Sequence, residues 1–342
     1  MQGFPILRLH RSRRLGDQFE RRYAAAVTTS AAPAPTPKNM IWVGGGEFLM
    51  GSDDFYPEER PPHRVAVDGF WMDEHPVTVA EFRRFVKDTG HVTWAELPPD
   101  PAQYPDALPE LLVPGSVVFT GSTGPVDLSD HRNWWSWVPG AQWRHPEGPG
   151  STLHGRERHP VTHVSHGDAA AYADWAGKQL PSEAEWEFAA RGGLEAAVFC
   201  WGDDPAPRGR MMANTWQGEF PWQNLLLDRY EGTSPVNQFP PNGYGLHDMA
   251  GNVWEWTADT FAPTDAGQGA QPCCGPENPR AMSTGGAGSG DQFPRFVIKG
   301  GSHLCAPNYC LRYRPAARQA ESADTTTSHV GFRCIQRPHP AG

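Results

Sequence analysis

Two cysteines near the carboxyl end of the chain are the residues best placed to carry chemistry. Cys305 and Cys310 stand five positions apart in KGGSHLCAPNYCLRYR, after a Gly-Gly pair and on either side of a proline. A loop of this kind can bring two thiols close to each other. Paired thiolates are soft ligands that suit Cu(I), zinc or an iron–sulfur centre. The spacing therefore indicates a thiol-based redox or metal site.

Spacing alone leaves three interpretations of this pair open: a local disulfide, a metal site, or two unrelated thiols. Zinc takes four protein ligands, or three and a water, and no further Cys or His pair stands nearby to complete that set. A Cu(I) site needs only the two thiolates and keeps one position open for a substrate. We expect Arg312 and Arg314 to lower the pKa of the thiols, although a structural role as ion-pair partners fits them better than a catalytic one.

A second group of candidate ligands consists of oxygen donors in glycine-containing loops. Asn214 and Asp228 stand in ANTWQGEFPWQNLLLDRY, and Asp248, Asn252 and Glu255 stand in LHDMAGNVWEW. Carboxylate and amide oxygens, completed by backbone carbonyls, are ligands for Ca²⁺. Asp and Asn in turns also cap the backbone, so the pattern alone allows either role.

Three other residue patterns are weaker candidates for a functional site. His159, His163 and His166 form an H-x3-H-x2-H pattern that fits a metal site or ordinary surface and capping histidines. Ser302 and His303 invite a Ser/His/Asp triad, but no G-x-S-x-G turn frames the serine. The glycine-rich pieces GGGEF and TGGAGSG lack the lysine or the strand context of a phosphate-binding loop.

These residues must be positioned by a chain that is poor in regular structure. The 342 residues include 37 Gly and 35 Pro, both of which interrupt helices and strands. Hydrophobic residues make up 38% and Trp occurs 14 times, which is enough apolar material for a sizeable core. We therefore expect a single large, irregular, loop-rich α+β domain over residues 39–337, after a poorly ordered extension and Pro/Ala linker over residues 1–38.

Charge and apolar runs exclude several classes of protein. The net charge of −10 argues against a nucleic-acid-binding surface, which is normally basic. No stretch of about 18 apolar residues is present to span a membrane. The amino-terminal residues lack the apolar core of a secretory signal, so a disulfide framework is not expected. This applies to all six cysteines: Cys200, Cys273, Cys274, Cys305, Cys310 and Cys334.

Capping boxes and periodicity predict three substantial helices. The first follows Thr78 and ends at Gly90, the second covers residues 168–177, and the third begins at Ser182 and ends at Gly192. IWVGGGEFLMGS predicts two short strands around glycines, and the alternation over residues 63–70 predicts a half-buried strand. Residues 262–292 are predicted to be a long surface insertion.

The segment around the two cysteines, followed by SHVGFRC, resembles the active-site segment of formylglycine-generating enzymes. Further blocks match that family in the same order: GGGEFLMGS, DEHPVT, LPSEAEWEFAARGG, ANTWQGEFP and PPNGYGLHDMAGNVWEWT. Most of these blocks belong to the wider sulfatase-modifying-factor superfamily and specify its fold. The pattern GGS-x-x-C-x4-C-x-R-Y-R is the part specific to the oxidase.

The resemblance implies a fold and an activity. The fold would be a large, irregular variant of the C-type lectin fold. Cys305 and Cys310 would hold Cu(I), and the substrate would be an unfolded sulfatase with a Cys-x-Pro-x-Arg segment. Its cysteine would be oxidised to Cα-formylglycine with O2 and a thiol reductant as further reactants. The protein would position the metal and the substrate for this reaction.

The resemblance also assigns roles to three residues around the pair. Ser302 matches the family's active-site serine and would orient oxygen or the substrate backbone. Tyr309 and Trp254 match aromatic positions near the site. From the residues alone, Ser302 is equally a turn hydroxyl, and core packing is the favoured role of the two aromatic side chains.

Two structural calcium sites follow from the resemblance as well. The first would use Asn214, Thr215, Asp228 and Tyr230. The second would use Asp248, Gly251, Val253 and Glu255. Thr215, Tyr230, Gly251 and Val253 would contribute main-chain carbonyls, and the ions would hold the loops that carry Trp254 and Phe220.

Two positions where this sequence lacks the cysteines of some relatives indicate a reducing cellular compartment. Ala190 and Pro315 stand where relatives from the animal secretory pathway carry disulfide cysteines, which leaves Cys334 without its expected partner. This fits a reducing compartment and a bacterial cytoplasmic protein. We expect a monomer that has no nucleic-acid or membrane partner.

Two other functions are compatible with the same superfamily. One is a lectin-like peptide-binding module without redox chemistry, against which the intact Cys305/Cys310 pair argues. The other is an iron-dependent sulfur-inserting oxidase, which needs a histidine-rich helical domain that this sequence lacks.

Overall fold

A computed structural model describes residues 36–262 and 293–338. The amino-terminal extension, most of the predicted insertion, and with it Cys273 and Cys274, lie outside the described residues. The described part is a mixed α/β structure in which loops connect three α-helices and short strands. This confirms the predicted loop-rich α+β class, whereas the predicted domain boundaries stay a prediction.

The amino-terminal part forms two hairpin-like pairs of strands. Its strands are β1 (Met40–Val43), β2 (Gly46–Met50), β3 (His63–Val67) and β4 (Phe70–Asp73). β1 pairs antiparallel with β4, and β2 pairs antiparallel with β3. The single strand predicted over residues 63–70 is therefore two strands. The chain breaks at Gly69, where a Cβ atom would lie 2.5 Å from the Trp42 ring.

All three predicted helices are present: α1 (Val79–Thr89), α2 (His166–Trp175) and α3 (Glu183–Arg191). Each begins with a capping box, at Thr78, Ser165 and Ser182. Helix α2 begins two residues earlier than predicted because Ser165 is its cap. α1 and α3 end where a glycine adopts a left-handed conformation.

The remaining strands include the sheet at the base of the cysteine loop. They are β5 (Gly115–Phe119), β6 (Trp135–Pro139), β7 (Trp254–Thr260), β8 (Arg295–Lys299), β9 (Arg318–Ser322), β10 (Val330–Gly331) and β11 (Ile335–Gln336). One sheet has the order β10-β7-β8-β9. In it Lys299 lies opposite Arg318, so the end of β8 and the start of β9 close the base of the loop that carries both cysteines.

Short 3-10 turns complete the described structure: Pro57–Glu59, Trp94–Glu96, Pro109–Leu111, His131–Asn133 and Pro207–Gly209. Within the described residues, no helix is both long and apolar enough to cross a membrane.

A large hydrophobic core joins the helices to the sheets, and a smaller aromatic cluster lies beside it. The large core contains Trp186, Trp256 and Phe332, all fully buried, and also Cys305. The smaller cluster consists of Trp134, Trp216, Phe220, Leu304 and Ala306. Cys305 thus lies in the one cluster while its neighbours Leu304 and Ala306 belong to the other. The cysteine loop runs along the boundary between them.

Candidate active site and metal-binding loops

A tight turn at the start of the cysteine loop packs against the end of the same loop. Gly300 and Gly301 follow β8 with φ of +92° and +68°. A Cβ atom on Gly301 would lie 2.8 Å from the Tyr313 nitrogen, so a side chain there would collide with the returning chain. Glycine is required because this backbone conformation and this close approach both exclude other residues.

The two thiols lie side by side. The Sγ atoms of Cys305 and Cys310 are 3.4 Å apart, and both cysteines are free. A disulfide bond would need about 2.05 Å, so the structure shows a dithiol. The Ala306 carbonyl accepts the amide of Cys310 at 2.7 Å, which closes the turn between them. Cys305 is only 2% exposed, whereas Cys310 is partly accessible.

The two thiols differ in acidity. Burial raises the pKa of Cys305 well above its usual value, and the neighbouring Cys310 raises it further. A hydrogen bond from Cys305 lowers the pKa of Cys310, against the effect of burial and with help from Arg312. The site is therefore set up for a Cys310 thiolate that accepts a hydrogen bond from the Cys305 thiol.

Arg312 is held beside the thiols by residues far away in the sequence. Its guanidinium carbon lies 4.0 Å from the centre of the Tyr56 ring, and it forms an ion pair with Glu58. The Tyr56 hydroxyl also accepts the Leu311 amide at 3.0 Å. Arg314, which we expected to act on the thiols too, pairs instead with buried Glu59.

The three residues assigned around the pair lie in different settings. Ser302 is fully buried, and its hydroxyl accepts the Leu304 amide at 3.2 Å. Its amide lies 3.4 Å from the Cys305 sulfur. Tyr309 is 41% exposed and stacks on Phe220 with a centroid distance of 4.6 Å. Trp254 is buried on β7 in the large core that also contains Cys305.

The smaller aromatic cluster flanks the cysteine loop, and the sequence motifs do not assign most of it to the site. Phe220 contacts Trp134 and Trp216, with ring centroids 5.4 and 5.3 Å away. The Trp216 amide donates to the Cys305 carbonyl at 3.0 Å. The run WWSW at residues 134–137 was the only sequence signal for Trp134, and it did not indicate a position beside the cysteines.

The first predicted calcium loop is assembled around Asp228. Its carboxylate accepts the amides of Thr215 at 3.2 Å and Tyr230 at 3.0 Å. The neighbouring Asn214 side chain is buried, and its Oδ1 has no hydrogen-bond partner. An unpaired buried carbonyl oxygen is costly unless another group binds it. The residues of this loop therefore fit a cation that is bound through oxygen ligands, such as Ca²⁺.

The second predicted calcium loop has some features that fit a bound cation and one that does not. Burial raises the pKa of Asp248, whose carboxylate accepts the Asn237 amide at 2.9 Å. Asn237 Oδ1 is buried and has no partner, as at the first loop. Both oxygens of Glu255 bind Arg333, at 2.7 and 2.8 Å, and one also accepts the Trp186 indole N–H. Glu255 is thus already neutralised by a buried cation.

The two loops lie against each other. The Asn252 amide donates to the Asn214 carbonyl at 2.8 Å. A Cβ atom on Gly251 would lie 2.1 Å from the same carbonyl oxygen, which explains the glycine at this position. Both loops also contact the cysteine loop: the first through the Trp216 amide, which donates to the Cys305 carbonyl, and the second through the Gly251 amide, which donates to the Gly300 carbonyl.

The three histidines of the H-x3-H-x2-H pattern point to different partners. His159 contacts the Thr233 hydroxyl, buried His163 contacts the Ser116 hydroxyl, and His166 contacts the Thr257 carbonyl. Over residues 36–262 and 293–338, no three His, Cys, Asp or Glu side chains are grouped as a metal site. The cysteine site therefore offers two protein sulfurs and no third ligand of these types among the described residues.

The remaining described cysteines are buried. Cys200 donates to the Met249 carbonyl at 3.5 Å, and Cys334 lies behind Asp73, which accepts its amide at 3.0 Å. Both are free thiols. Burial raises the pKa of each well above its usual value, so neither is a reactive thiolate.

Comparison with known proteins places the chain in a family. The model of the sulfatase-modifying factor enzyme 1-like domain matches residues 15–338. A formylglycine-generating enzyme of Mycobacterium tuberculosis is 53% identical over 300 residues, which cover 87% of this chain and 98% of that protein. A formylglycine-generating enzyme of Thermomonospora curvata is 44% identical, over 90% of this chain and 96% of that protein.

The structure of PvdO from Pseudomonas aeruginosa has the same fold. It superposes with a TM-score of 0.61 at 23% sequence identity and covers 90% of this chain and 100% of its own length. The fold expected from the sequence motifs is thereby confirmed. The chain belongs to the family of sulfatase-modifying factor enzyme 1-like domains, as the match over residues 15–338 and the identity to the Mycobacterium and Thermomonospora enzymes establish.

Proposed function

We propose that this chain oxidises the cysteine of a Cys-x-Pro-x-Arg segment in unfolded sulfatases to Cα-formylglycine. The observation that carries the proposal is the pair of free thiols, 3.4 Å apart, at the accessible edge of the core. The same activity is named for relatives that are 44–53% identical along almost their whole length.

The overall reaction must balance in atoms and electrons. Dioxygen takes up four electrons: two from the substrate carbon, as the Cβ–S bond is replaced by a carbonyl, and two from a thiol reductant. Both oxygen atoms of dioxygen are reduced to water, and hydrolysis of the oxidised thioaldehyde supplies the oxygen of the aldehyde. The substrate sulfur leaves as hydrogen sulfide, and two reductant thiols become a disulfide. A reductant is thus a required reactant.

We further propose that Cys305 and Cys310 hold Cu(I). Two soft sulfurs with no third ligand among the described residues suit this ion better than zinc. When bound, copper would supply the reaction with dioxygen that the side chains cannot perform. The hydrogen bond from Cys305 lowers the pKa of Cys310, which favours the thiolate form that would bind this ion.

The neighbouring residues have positioning roles in this proposal. Trp216 fixes the Cys305 carbonyl, and the Ser302 amide lies against the Cys305 sulfur, which keeps the buried thiol in one orientation. Tyr309, stacked on Phe220, presents an exposed ring next to Cys310, where a substrate backbone can lie against it. Burial of Cys305 leaves Cys310 as the thiol that faces an incoming substrate.

A peptide assay tests the activity. A synthetic Cys-x-Pro-x-Arg peptide is incubated with copper-loaded protein, oxygen and a thiol reductant, and the aldehyde is trapped with a hydrazide and identified by mass spectrometry. Cys305→Ser and Cys310→Ser should each abolish turnover, whereas Cys200→Ser should not. Substantial turnover by either serine variant would contradict the two-thiolate site. No turnover by the folded, copper-loaded chain would favour the lectin-like binding module.

We also propose structural calcium at the two predicted loops. The orphaned oxygens of Asn214 and Asn237 support this assignment, and the first loop has the better ligand set because Glu255 is engaged by Arg333. Chelation should lower the thermal midpoint, and Asn214→Ala should lower the bound calcium by one ion per chain. Elemental analysis that finds no calcium in wild-type protein dialysed against calcium would contradict this proposal.

Finally, we propose a monomer in a reducing, bacterial cytoplasmic compartment. Four described cysteines are free thiols, as expected of a protein that does not depend on disulfides. Thiol alkylation of the protein in freshly lysed cells, followed by mass measurement, tests the compartment. Sedimentation tests the oligomeric state, and a concentration-independent dimer would overturn the monomer.

A further inference from the structure

An exposed apolar surface lies on a loop that contacts the cysteine loop, and it has no role in the reaction described so far. It belongs to residues 217–228, here called the leucine loop. Leu225, Leu226 and Leu227 are 54%, 43% and 63% exposed, and Trp222 is also exposed. Isolated exposed leucines are ordinary, but three in succession beside a tryptophan form a patch.

The loop is held in a defined conformation. The Leu225 amide donates to the Gln217 carbonyl at 2.6 Å, and the Gln223 amide donates to the Glu219 carbonyl at 2.8 Å. Gly218 has a φ of +124°, and a Cβ atom there would lie 2.7 Å from the Gln223 carbonyl. Since the backbone is fixed by its own hydrogen bonds, the exposure of the leucines is built into the loop.

The leucine loop is continuous with the cysteine loop. Immediately before it, the Trp216 amide donates to the Cys305 carbonyl at 3.0 Å. Within it, the Glu219 carboxylate accepts the Asn308 side-chain amide at 3.1 Å. Phe220 of the same loop stacks on Tyr309, the exposed neighbour of Cys310. A polypeptide that reaches Cys310 over Tyr309 therefore lies close to the segment that continues into the three leucines.

We propose that the leucine loop binds apolar side chains that flank the modified cysteine in the unfolded sulfatase. The proposal rests on the function proposed above and adds a second contact outside the Cys-x-Pro-x-Arg segment. An unfolded chain exposes apolar residues that a folded sulfatase buries. A fixed apolar surface on a loop that contacts the cysteine loop thus selects unfolded over folded substrate.

Binding of non-reactive peptides tests the proposal separately from oxidation. Fluorescence anisotropy is measured with three labelled peptides in which serine replaces the reactive cysteine. One carries polar residues on both flanks, one carries leucines on the amino side, and one carries leucines on the carboxyl side. Wild-type protein should bind one of the leucine-flanked peptides about tenfold more tightly than the polar peptide, as expected when two half-exposed leucines become buried.

The informative variant is Leu225→Ser/Leu227→Ser. It should lose the tenfold gain and keep the affinity for the polar peptide. The matched control is Leu97→Ser/Leu108→Ser, which removes two leucines of similar exposure, 48% and 58%, from another segment and should keep the gain. All four side chains are exposed, so both variants should fold, and circular dichroism checks this.

Several outcomes would overturn the inference. A wild-type protein that binds all three peptides equally, or a Leu225→Ser/Leu227→Ser variant that keeps the gain, would do so. A wild-type dimer that this variant dissociates would assign the surface to a second copy of the chain. Turnover of the polar-flanked cysteine peptide is measured in parallel. Failure of turnover with flank-dependent binding intact would refute the proposed oxidation and leave the docking surface standing.

Discussion

Two ion pairs near the cysteines show how burial decides what a charged residue contributes. Glu59 and Arg314 are 0% and 1% exposed, whereas Glu58 and Arg312 are 25% and 22% exposed. The buried pair fixes the Pro57–Glu59 turn against the end of the cysteine loop. The outer pair holds Arg312 over Tyr56 and beside the thiols. Removing either glutamate should therefore have different consequences.

Glu59→Gln should cost about 3–5 kcal/mol of unfolding free energy, because it leaves the Arg314 charge buried without a partner. Glu58→Gln should cost about 1 kcal/mol or less, since Arg312 keeps contact with water and with Tyr56. Urea denaturation of both variants measures the difference. Equal losses of unfolding free energy in the two variants would show that burial does not determine how much each ion pair contributes to stability.

At the level of elements, the cysteine loop depends on the turn that follows β8. The turn is local in sequence, but its geometry is set by the returning chain at Arg312 and Tyr313. A second set of contacts comes from the amino-terminal segment around Tyr56, which is 255 residues distant from Leu311. The position of the thiols is thus fixed jointly by a local turn and a distant segment.

Gly301→Ala should disrupt the thiol pair, because its Cβ atom would lie within 2.9 Å of the Arg312 and Tyr313 backbone. We expect destabilisation well above 2 kcal/mol and loss of Cu(I) affinity, measured by competition with a chromogenic chelator. Gly90→Ala is the matched control. It has a similar φ of +71° but open space around its Cβ position, so it should cost only about 1 kcal/mol.

At the scale of the whole molecule, buried histidines link stability to pH. Burial lowers the pKa of His163 to about 3 and that of His166 to about 4, from an ordinary value of 6.5. The unfolded chain binds protons on these imidazoles near pH 6.5, whereas the folded chain does not until far lower pH. Their stabilising contribution is therefore complete above pH 6.5 and is lost as the pH falls towards 4.

We expect the free energy of unfolding to fall between pH 6.5 and 4.5, by up to about 1.4 kcal/mol per pH unit for each such histidine. His163→Gln/His166→Gln should flatten the slope over that range, whatever its effect on absolute stability. Urea midpoints measured in steps of pH provide the test. A slope that is unchanged in the double variant would show that other groups control the acid limit.

Much of the local structure could be predicted from the sequence because its causes are local. The capping boxes at Thr78 and Ser182 and the glycines at the helix ends lie within a few residues of what they control. The proximity of Cys305 and Cys310 follows from a short loop in the same way. The break at Gly69 was missed because the obstacle is the Trp42 ring on another strand.

By itself, the sequence determined the family and the three helices, and it predicted Cys305 and Cys310 as the pair of thiols at the site. Only the tertiary structure decided that Arg312 faces the thiols while Arg314 pairs with Glu59, and that Glu255 is neutralised by Arg333. It also brought the leucine loop against the cysteine loop. The physical reason is that helices, caps and short loops are set by residues a few positions apart in the sequence. The burial of a side chain and the partner of a charge instead depend on segments that meet only after the chain has folded.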